Sequence, residues 1–403
     1  MTRELKYPAL WILLLLIGFP QISETIYSPA LPNIAHDLMA NNTWVQWTLS
    51  VYFIGFALGV FLWGWVSDHI GRKRAMLMGL LLYCVASILC LKAGSISELL
   101  LFRGVRGLGA SCGSVITQAM ARESLPEQQR HQFFSMSGFI LALAITLGPF
   151  VGGYLTQWFD WRANFVALVM MGVSLLLLST FKLPETLRSP SVVKAQSFAA
   201  IARRMMTDKH ILISGWIVGA VNGILFSYYA EGPFIFIRII KLTPSEFGWL
   251  GFFIALAALL GTLVSRRLVN IYSPGKIMRM GIAVLLVSAL IFVVIALFVP
   301  ISAHHPFLSV ALMILPMMGL IFAAFGFLVP ITLSMALLNY QAVLGRAGAL
   351  FGLGYYILVS LFTGCMGLIH NEHVWPMPVY FLVLGLSIAM LSRWGRAFGP
   401  IQS

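Results

Sequence analysis

GWVSDHIGRKR, at residues 64–74, is the most specific stretch of the sequence, and long apolar segments flank it on both sides. Asp68 stands near the end of the first segment, while Gly64 and Gly71 permit a tight turn before three basic residues. Basic residues in such a place are ordinary anchors of membrane helices. That interpretation leaves the acid and the glycines unexplained, so the stretch predicts a specific connection between two membrane helices.

Apolar segments continue in both directions along the chain. The 403 residues are 60% hydrophobic and 10% charged, with a mean hydropathy of +0.91, whereas soluble domains carry about 25% charged residues. This composition excludes a soluble globular protein. A helix of about 20 apolar residues crosses a bilayer, and twelve segments reach that length. Their approximate spans are 7–28, 44–67, 75–93, 98–120, 132–155, 162–181, 211–231, 247–265, 276–299, 307–330, 346–367 and 376–394. The sequence therefore predicts an all-α membrane protein with twelve transmembrane helices.

The basic residues predict the orientation of these helices. With the N-terminus in the cytoplasm, twenty Lys and Arg lie on the inside, and four lie in outside loops, namely Lys92, Arg162, Arg238 and Lys241. This bias predicts that both termini are cytoplasmic. Because the same loops account for the net charge of +13, we expect no nucleic-acid partner. The first segment is followed by no small-residue cleavage site, so we expect it to remain as a membrane helix.

The longest polar interval, 182–210, divides the twelve segments into six and six. The stretch at 66–79 also resembles the one at 264–281, which indicates an internal repeat. Repeated bundles are common in transporters. The predicted division is an N-terminal six-helix bundle at 1–181, a cytoplasmic linker at 182–210 and a C-terminal six-helix bundle at 211–403.

The stretch at 64–74 resembles the signature loop of the major facilitator superfamily, G-x-x-x-D-x-x-G-R-[KR]. Helix number, central linker and topology agree with that family over the whole chain. The resemblance implies two bundles that rock about a central site and a loop that stabilises the outward-facing state. The gating residues that it implies are Gly64, Asp68, Gly71, Arg72 and Lys73. His69 stands where the family usually has arginine, which is expected to weaken one gate contact.

A second motif lies in the fifth segment. It contains Gly148, Pro149, Gly152 and Gly153, in which proline interrupts the helix hydrogen bonds and glycines admit a neighbouring helix. The motif resembles the G-P-x-x-G-G motif of the family's antiporters and implies further gating residues. A helix-packing kink is the alternative interpretation.

Three further stretches resemble the drug:proton antiporters of the bicyclomycin-resistance group. They are VQWTLSVYFIGFALG at 45–59, LPET at 183–186 and EGPFIFIRIIKLTPSEFGWL at 231–250. This branch of the family expels amphiphilic small molecules or drugs from bacteria across the cytoplasmic membrane.

Glu24, Arg103 and Arg106 are charged residues inside predicted membrane spans and away from the span ends, where such side chains are functional by default. Arg103, with Gly107 four residues later, matches an arginine that related antiporters link to proton transfer. Arg106 stands where the family usually has glutamine, and it lies near Arg103 on one helix face. Together they predict a positive site that favours an anionic substrate, unless they snorkel to the surface. Glu24 is the predicted proton carrier or, alternatively, a static partner of Arg103. The branch often has aspartate one position later, at Thr25.

Aromatic and polar side chains are candidates to line a substrate cavity, although packing or lipid contact is the alternative for each. They are Tyr27, Tyr52, Arg106, Asn222, Tyr228, Tyr229, Glu231, Tyr355 and Tyr356. The four cysteines, Cys84, Cys90, Cys112 and Cys365, have no CxxC spacing, so we expect them to pack and not to bind metal.

The resulting hypothesis is a monomeric proton-coupled antiporter that exports amphiphilic small molecules by alternating access, with lipid around it and no cofactor besides the proton as coupling ion. A proton-coupled carrier of one anionic metabolite or siderophore and a passive facilitator are the alternatives. HExxH and phosphate-binding loops are absent from the sequence, so we expect no enzyme.

Overall fold

The structure is a computed structural model that describes residues 7–187 and 198–394. It contains twelve helices that are long and apolar enough to cross a membrane, which confirms the predicted number. We label them α1 to α12 in chain order: Leu10–Asp37, Asn42–Ile70, Arg72–Lys92, Ile96–Ser124, Glu127–Trp158, Arg162–Lys182, Lys209–Ile239, Pro244–Leu268, Pro274–Phe298, Pro306–Ala336, Gly345–Ile369 and Pro376–Arg393. Several helices extend beyond the predicted apolar spans, because a helix keeps its backbone hydrogen bonds through polar end residues as well.

The same helix pairs pack together in the first six helices and in the last six. Helix α1 packs on α5, α2 on α4 and α3 on α6, while α7 packs on α11, α8 on α10 and α9 on α12. The two halves are thus two bundles of like architecture, as the internal repeat predicted. Between the bundles, α2 packs on α11 and α5 packs on α8.

A short helix, Phe198–Thr207, lies inside the interval predicted as a linker. Phe198 contacts Phe61 of α2 at a ring distance of 5.4 Å, while Ile201 and Met205 pack in one apolar cluster with Tyr340 and Phe351. This helix therefore packs mainly on the second half and touches α2 through Phe198. The part of the predicted linker at 188–197 lies outside the described residues, and the domain boundaries stay predictions. We call the membrane side that carries this connection the linker side, and the opposite side the far side.

Glycines let the helices of the first bundle approach closely. A side chain on Gly55 would overlap the backbone carbonyl of Gly104, and one on Gly107 would overlap the carbonyl of Tyr52. Helices α2 and α4 are therefore in backbone contact, which is the packing that small residues permit in membranes.

A substitution in α5 tests this packing. A side chain at Gly152 would overlap the backbone carbonyl of Ile26 in α1, whereas Gly138 in the same helix has no heavy atom within 4 Å. We expect Gly152→Val to destabilise the fold by about 1–3 kcal/mol, because overpacking forces backbone shifts. Gly138→Val is the matched control. Thermal unfolding in detergent, followed by tryptophan fluorescence, should give a lower melting temperature for Gly152→Val only, and equal melting temperatures would contradict the prediction.

Candidate functional site

Glu24 lies on α1 at the boundary between the two bundles. Its side chain is buried, at 1% exposure, and neither carboxyl oxygen has a hydrogen-bond partner among the described residues. Tyr52 of α2 and Tyr355 and Tyr356 of α11 lie within electrostatic range of the carboxyl group. The carboxyl group thus lies near aromatic side chains from both bundles.

Arg103 of α4 is fully buried, so it does not snorkel to the surface. Its Nε donates a hydrogen bond to the carbonyl of Thr48 at 3.2 Å. The guanidinium group stacks over Tyr27 at 3.8 Å and over Tyr52 at 4.7 Å from the ring centres. Its two terminal nitrogens have no hydrogen-bond partner among the described residues. Arg103 therefore orders α1 and α2 through cation–π contacts and keeps free donors.

Arg106 is also fully buried. A terminal nitrogen donates to the carbonyl of Ser23 at 3.1 Å, and the guanidinium group lies over Phe165 at 5.2 Å and Tyr52 at 5.6 Å. These partners all belong to the first bundle, so Arg106 points into that bundle's interior.

Tyr52 is an aromatic side chain that both arginines share. It contacts the guanidinium groups of Arg103 and Arg106 and is within electrostatic range of Glu24. Among the described residues, neither arginine forms an ion pair with Glu24, so the structure shows no static pair. The arrangement brings one unpartnered acid and two under-bonded cations close to one aromatic side chain.

The other predicted cavity residues are divided between the bundles. Tyr356 packs on Phe56 of α2 at 4.6 Å and on Tyr355 at 4.4 Å, which builds an aromatic wall across the bundle boundary. Asn222 bonds the carbonyl of Val218 in its own helix. The remaining aromatic residues are buried, and they are Tyr27, whose hydroxyl bonds Thr48, together with Tyr228 and Tyr229.

Glu231 lies near the far-side end of α7 in a polar contact between the bundles. Gln46 of α2 donates to its carboxylate at 2.6 Å, and Nδ1 of His370, directly after α11, lies 2.8 Å from the other oxygen. His370 and Gln46 were not predicted. The sequence did contain one signal for this contact: His370 follows an apolar span and lies on the same side of the membrane as Glu231.

The loop at 64–74 lies on the linker side. Arg72 pairs with Asp68 at 2.6 Å and with Glu123 of α4, so the loop joins α2, α3 and α4. Gly71 has φ +101°, a conformation that favours glycine. The carboxylate of Glu185 accepts hydrogen bonds from the backbone nitrogens of Arg72 and Lys73, at 2.8 and 3.2 Å.

The remaining residues of this loop have separate contacts. Lys73 Nζ donates to the carbonyl of Thr180 at 2.8 Å, so the loop also reaches α6. A side chain on Gly64 would contact Val115 of α4 and Ala349 of α11. His69 forms a hydrogen bond with the carbonyl of Trp65, one helical turn earlier in α2. The sequence did not predict the roles of Glu123 and Glu185, which lie 51 and 113 residues from Arg72 in the chain.

The glycine–proline motif of α5 lies where three helices meet. A side chain on Gly148 would overlap Thr25 of α1, and one on Gly153 would overlap the carbonyl of Pro244 in α8. The carbonyl of Pro149 in turn lies against Gly248 of α8. The motif therefore forms part of the contact between the bundles on the far side.

Cysteines and metal-binding side chains form no site in the part of the chain that the structure describes. The four cysteines are free, and Cys84, Cys90 and Cys112 are buried, which agrees with their predicted packing role. Within residues 7–187 and 198–394, no group of three or more His, Cys, Asp or Glu is placed to hold a metal ion.

Comparisons with known proteins agree with this architecture. The chain is 34% identical to an uncharacterized transporter of Rickettsia bellii, over 95% of each chain. It is 27% identical to the chloramphenicol resistance protein CraA of Acinetobacter baumannii, over 68% of this chain and 66% of that protein. A crystal structure of a D-xylose-proton symporter matches with a TM-score of 0.77 at 13% identity, covering 94% of this chain and 96% of that one. The sequence profile of the Major Facilitator Superfamily matches residues 13–364. The chain therefore belongs to the Major Facilitator Superfamily and is a multi-pass membrane transporter, not an enzyme.

Proposed function

We propose that this protein exports amphiphilic small molecules in exchange for protons across the cytoplasmic membrane of a bacterium. The resistance function in the name of the Acinetobacter relative supports export of such compounds. The excess of basic residues on the linker side supports a cytoplasmic position for that side. A single chain suffices for this proposal, and the proton is the coupling ion.

The burial of Glu24 without a partner is the observation that carries the proposal. A carboxylate in an apolar site without a hydrogen bond is strongly unfavourable in its charged form. An opening that admits water to this site stabilises the charged form again. Closing and opening the bundle boundary at Glu24 therefore changes how readily the carboxyl group holds a proton.

The position of Glu24 links this proton to the substrate. Tyr355 and Tyr356 of the second bundle lie within electrostatic range of the carboxyl group, so a molecule that enters between the bundles meets the aromatic wall close to Glu24. In the proposed cycle, Glu24 takes a proton from the far side as substrate leaves. It releases the proton to the cytoplasm when the next substrate binds.

The contacts between the bundles indicate which state the structure shows. On the far side, the motif of α5 meets α8 in backbone contact, with Gly153 against Pro244. Glu231 is bonded across the boundary by Gln46. The far side is therefore closed, so in the proposed cycle this state precedes or follows opening toward the cytoplasm.

Transport driven by a pH gradient tests the proposal. Purified protein in liposomes that are acidic inside should accumulate amphiphilic cations or neutral amphiphiles above equilibrium, because outward proton flow drives their exchange. Protein inserted with its linker side facing outward should account for this uptake. An ionophore that dissipates the gradient should stop accumulation but not equilibration. If the substrate equilibrates across the membrane but does not accumulate, with or without the pH gradient, the protein is a passive facilitator instead.

An anionic substrate is the second candidate, and the two arginines favour it. Arg103 and Arg106 together keep four nitrogens without hydrogen-bond partners among the described residues. Such donors suit a carboxylate, although both guanidinium groups face the interior of the first bundle. Including carboxylate-bearing amphiphiles in the same liposome assay separates the two: selective uptake of these compounds would support the anion carrier.

A further inference from the structure

We propose that His370 is a second proton-binding site, and that its protonation from the far side unlocks the contact between the two bundles. This inference rests on the proposed alternation between two open states. His370 lies outside the membrane spans and apart from Glu24. Its proposed role is in closing the far side, whereas the proposed role of Glu24 is in coupling proton movement to transport.

A chain of hydrogen bonds crosses the bundle boundary at His370. Its Nδ1 lies 2.8 Å from the carboxylate of Glu231, and its Nε2 lies 3.1 Å from the side-chain nitrogen of Asn42. The side-chain oxygen of Asn42 accepts a hydrogen bond from Arg238 at 3.0 Å. Asn42 belongs to the first bundle, and the other three residues belong to the second.

The donors and acceptors in this chain determine the charge of His370. Arg238 has only donors, so the Asn42 atom that faces it must be the oxygen. The Asn42 atom that faces His370 is then the NH₂ group, which donates to Nε2. Nε2 must therefore carry a lone pair, while the Nδ1 hydrogen is donated to Glu231. The closed arrangement requires neutral histidine.

Adding a proton to Nε2 replaces a hydrogen bond by a contact between two donors. A new N–H bond forms on Nε2, the ring gains one positive charge, and the bond from Asn42 is lost. Rotating the Asn42 amide does not repair this, because its NH₂ group then faces Arg238. In either orientation, one of the two hydrogen bonds that the Asn42 side chain makes across the boundary is lost. Protonated His370 forms an ion pair with Glu231, and both residues belong to the second bundle. This ion pair stabilises the protonated histidine but does not connect the two bundles.

A proton can reach His370 from the far side. The residue borders a cavity of about 210 Å³, which has room for several water molecules. The charged residues lining this cavity, among those the structure describes, are Glu231, Arg238 and Glu372. From α2, the neighbouring side chains Asn42 and Gln46 are uncharged. Because protonation of Nε2 breaks the contact with Asn42, acidity on the far side favours opening there.

The distance between the bundles on the far side tests this inference directly. Met39 and Phe307 are exposed far-side residues of the two halves, so spin labels on cysteines at these positions report opening by pulsed EPR. The background has its four native cysteines replaced by alanine. On lowering the pH from 8 to 5.5, we expect the ratio of open to closed molecules to rise about tenfold. This is the effect expected when the closed state loses one hydrogen bond near a charged group.

Three variants test whether His370 is the group that binds the proton. His370→Gln should abolish the pH response, and His373→Gln, an exposed residue of the same loop, should retain it. Asn42→Asp should reverse the response, because a carboxylate accepts hydrogen bonds from both Arg238 and protonated His370 and closes the far side at low pH. This reversal distinguishes a proton switch from a merely structural contact.

The same measurements distinguish failure of the switch from failure of the proposed function. An unchanged pH response in His370→Gln, or no response in the wild type, would overturn the switch at His370. If Glu24→Gln abolishes the response while His370→Gln retains it, the conformational proton site is Glu24, and the proposed function stands without this switch. If His370→Gln does not fold, the sign of the response in Asn42→Asp decides the question.

Discussion

Glu24→Gln is expected to eliminate accumulation driven by a pH gradient, so that uptake falls to the level of simple equilibration. Glutamine has nearly the shape of glutamic acid but cannot exchange a proton, and the carboxyl oxygens have no hydrogen bond to lose among the described residues. The variant should therefore fold as well as the wild type. Uptake of a radiolabelled or fluorescent amphiphile into liposomes, with and without the gradient, measures the effect.

The matched control for this variant is Glu127→Gln. Glu127 begins α5 and its side chain is 80% exposed, so losing its charge should leave accumulation intact. Accumulation that persists in Glu24→Gln would assign the proton to another group. Loss of both accumulation and equilibration would show that Glu24 is needed for substrate passage itself.

Arg103→Gln is the variant with the second-largest expected effect. Arg103 stacks on Tyr27 and Tyr52 and bonds the backbone of α2, so it positions the aromatic residue that lies beside Glu24. Without the guanidinium group, Tyr27 and Tyr52 lose a cation–π partner and the backbone of α2 loses a hydrogen bond. We expect gradient-driven accumulation to be lost while the protein still binds substrate.

Arg103→Lys tests whether charge alone is sufficient. Lysine keeps the charge but not the planar group that stacks on two rings and donates to Thr48, so we expect partial accumulation. Arg122→Gln, an exposed arginine of the same helix, is the control and should accumulate substrate normally. Binding of a fluorescent substrate, measured beside transport, separates loss of coupling from loss of the site. Full accumulation in Arg103→Gln would contradict a coupling role.

The twelve helices could be predicted because each apolar span is decided locally by length and hydropathy. Their ends were less predictable. Helix α7, for example, was predicted to end at residue 231. In the structure it continues past Pro233 as a π-helix over Phe234–Ile239, which begins with buried apolar side chains. The turn at Gly71 was predictable, since few residues other than glycine adopt its φ angle without strain.

The candidate site was only partly predictable, because the three-residue spacing of Arg103 and Arg106 shows that they share a face but not what that face meets. In the structure both point into the first bundle, which depends on how α4 rotates against α1 and α2. The contact of Glu231 with His370 spans 139 residues of sequence. No local pattern connects such residues, so their pairing emerges only from the packing of two bundles.

Proton movement evoked by substrate is the sharpest test of proton exchange. Liposomes containing the protein, with no imposed pH gradient and a pH-sensitive dye inside, receive a pulse of amphiphilic substrate. Because each substrate molecule that enters should drive protons out, we expect the interior to become alkaline with wild-type protein and not with Glu24→Gln. Substrate entry with no pH change in the wild type would contradict proton exchange and identify a facilitator.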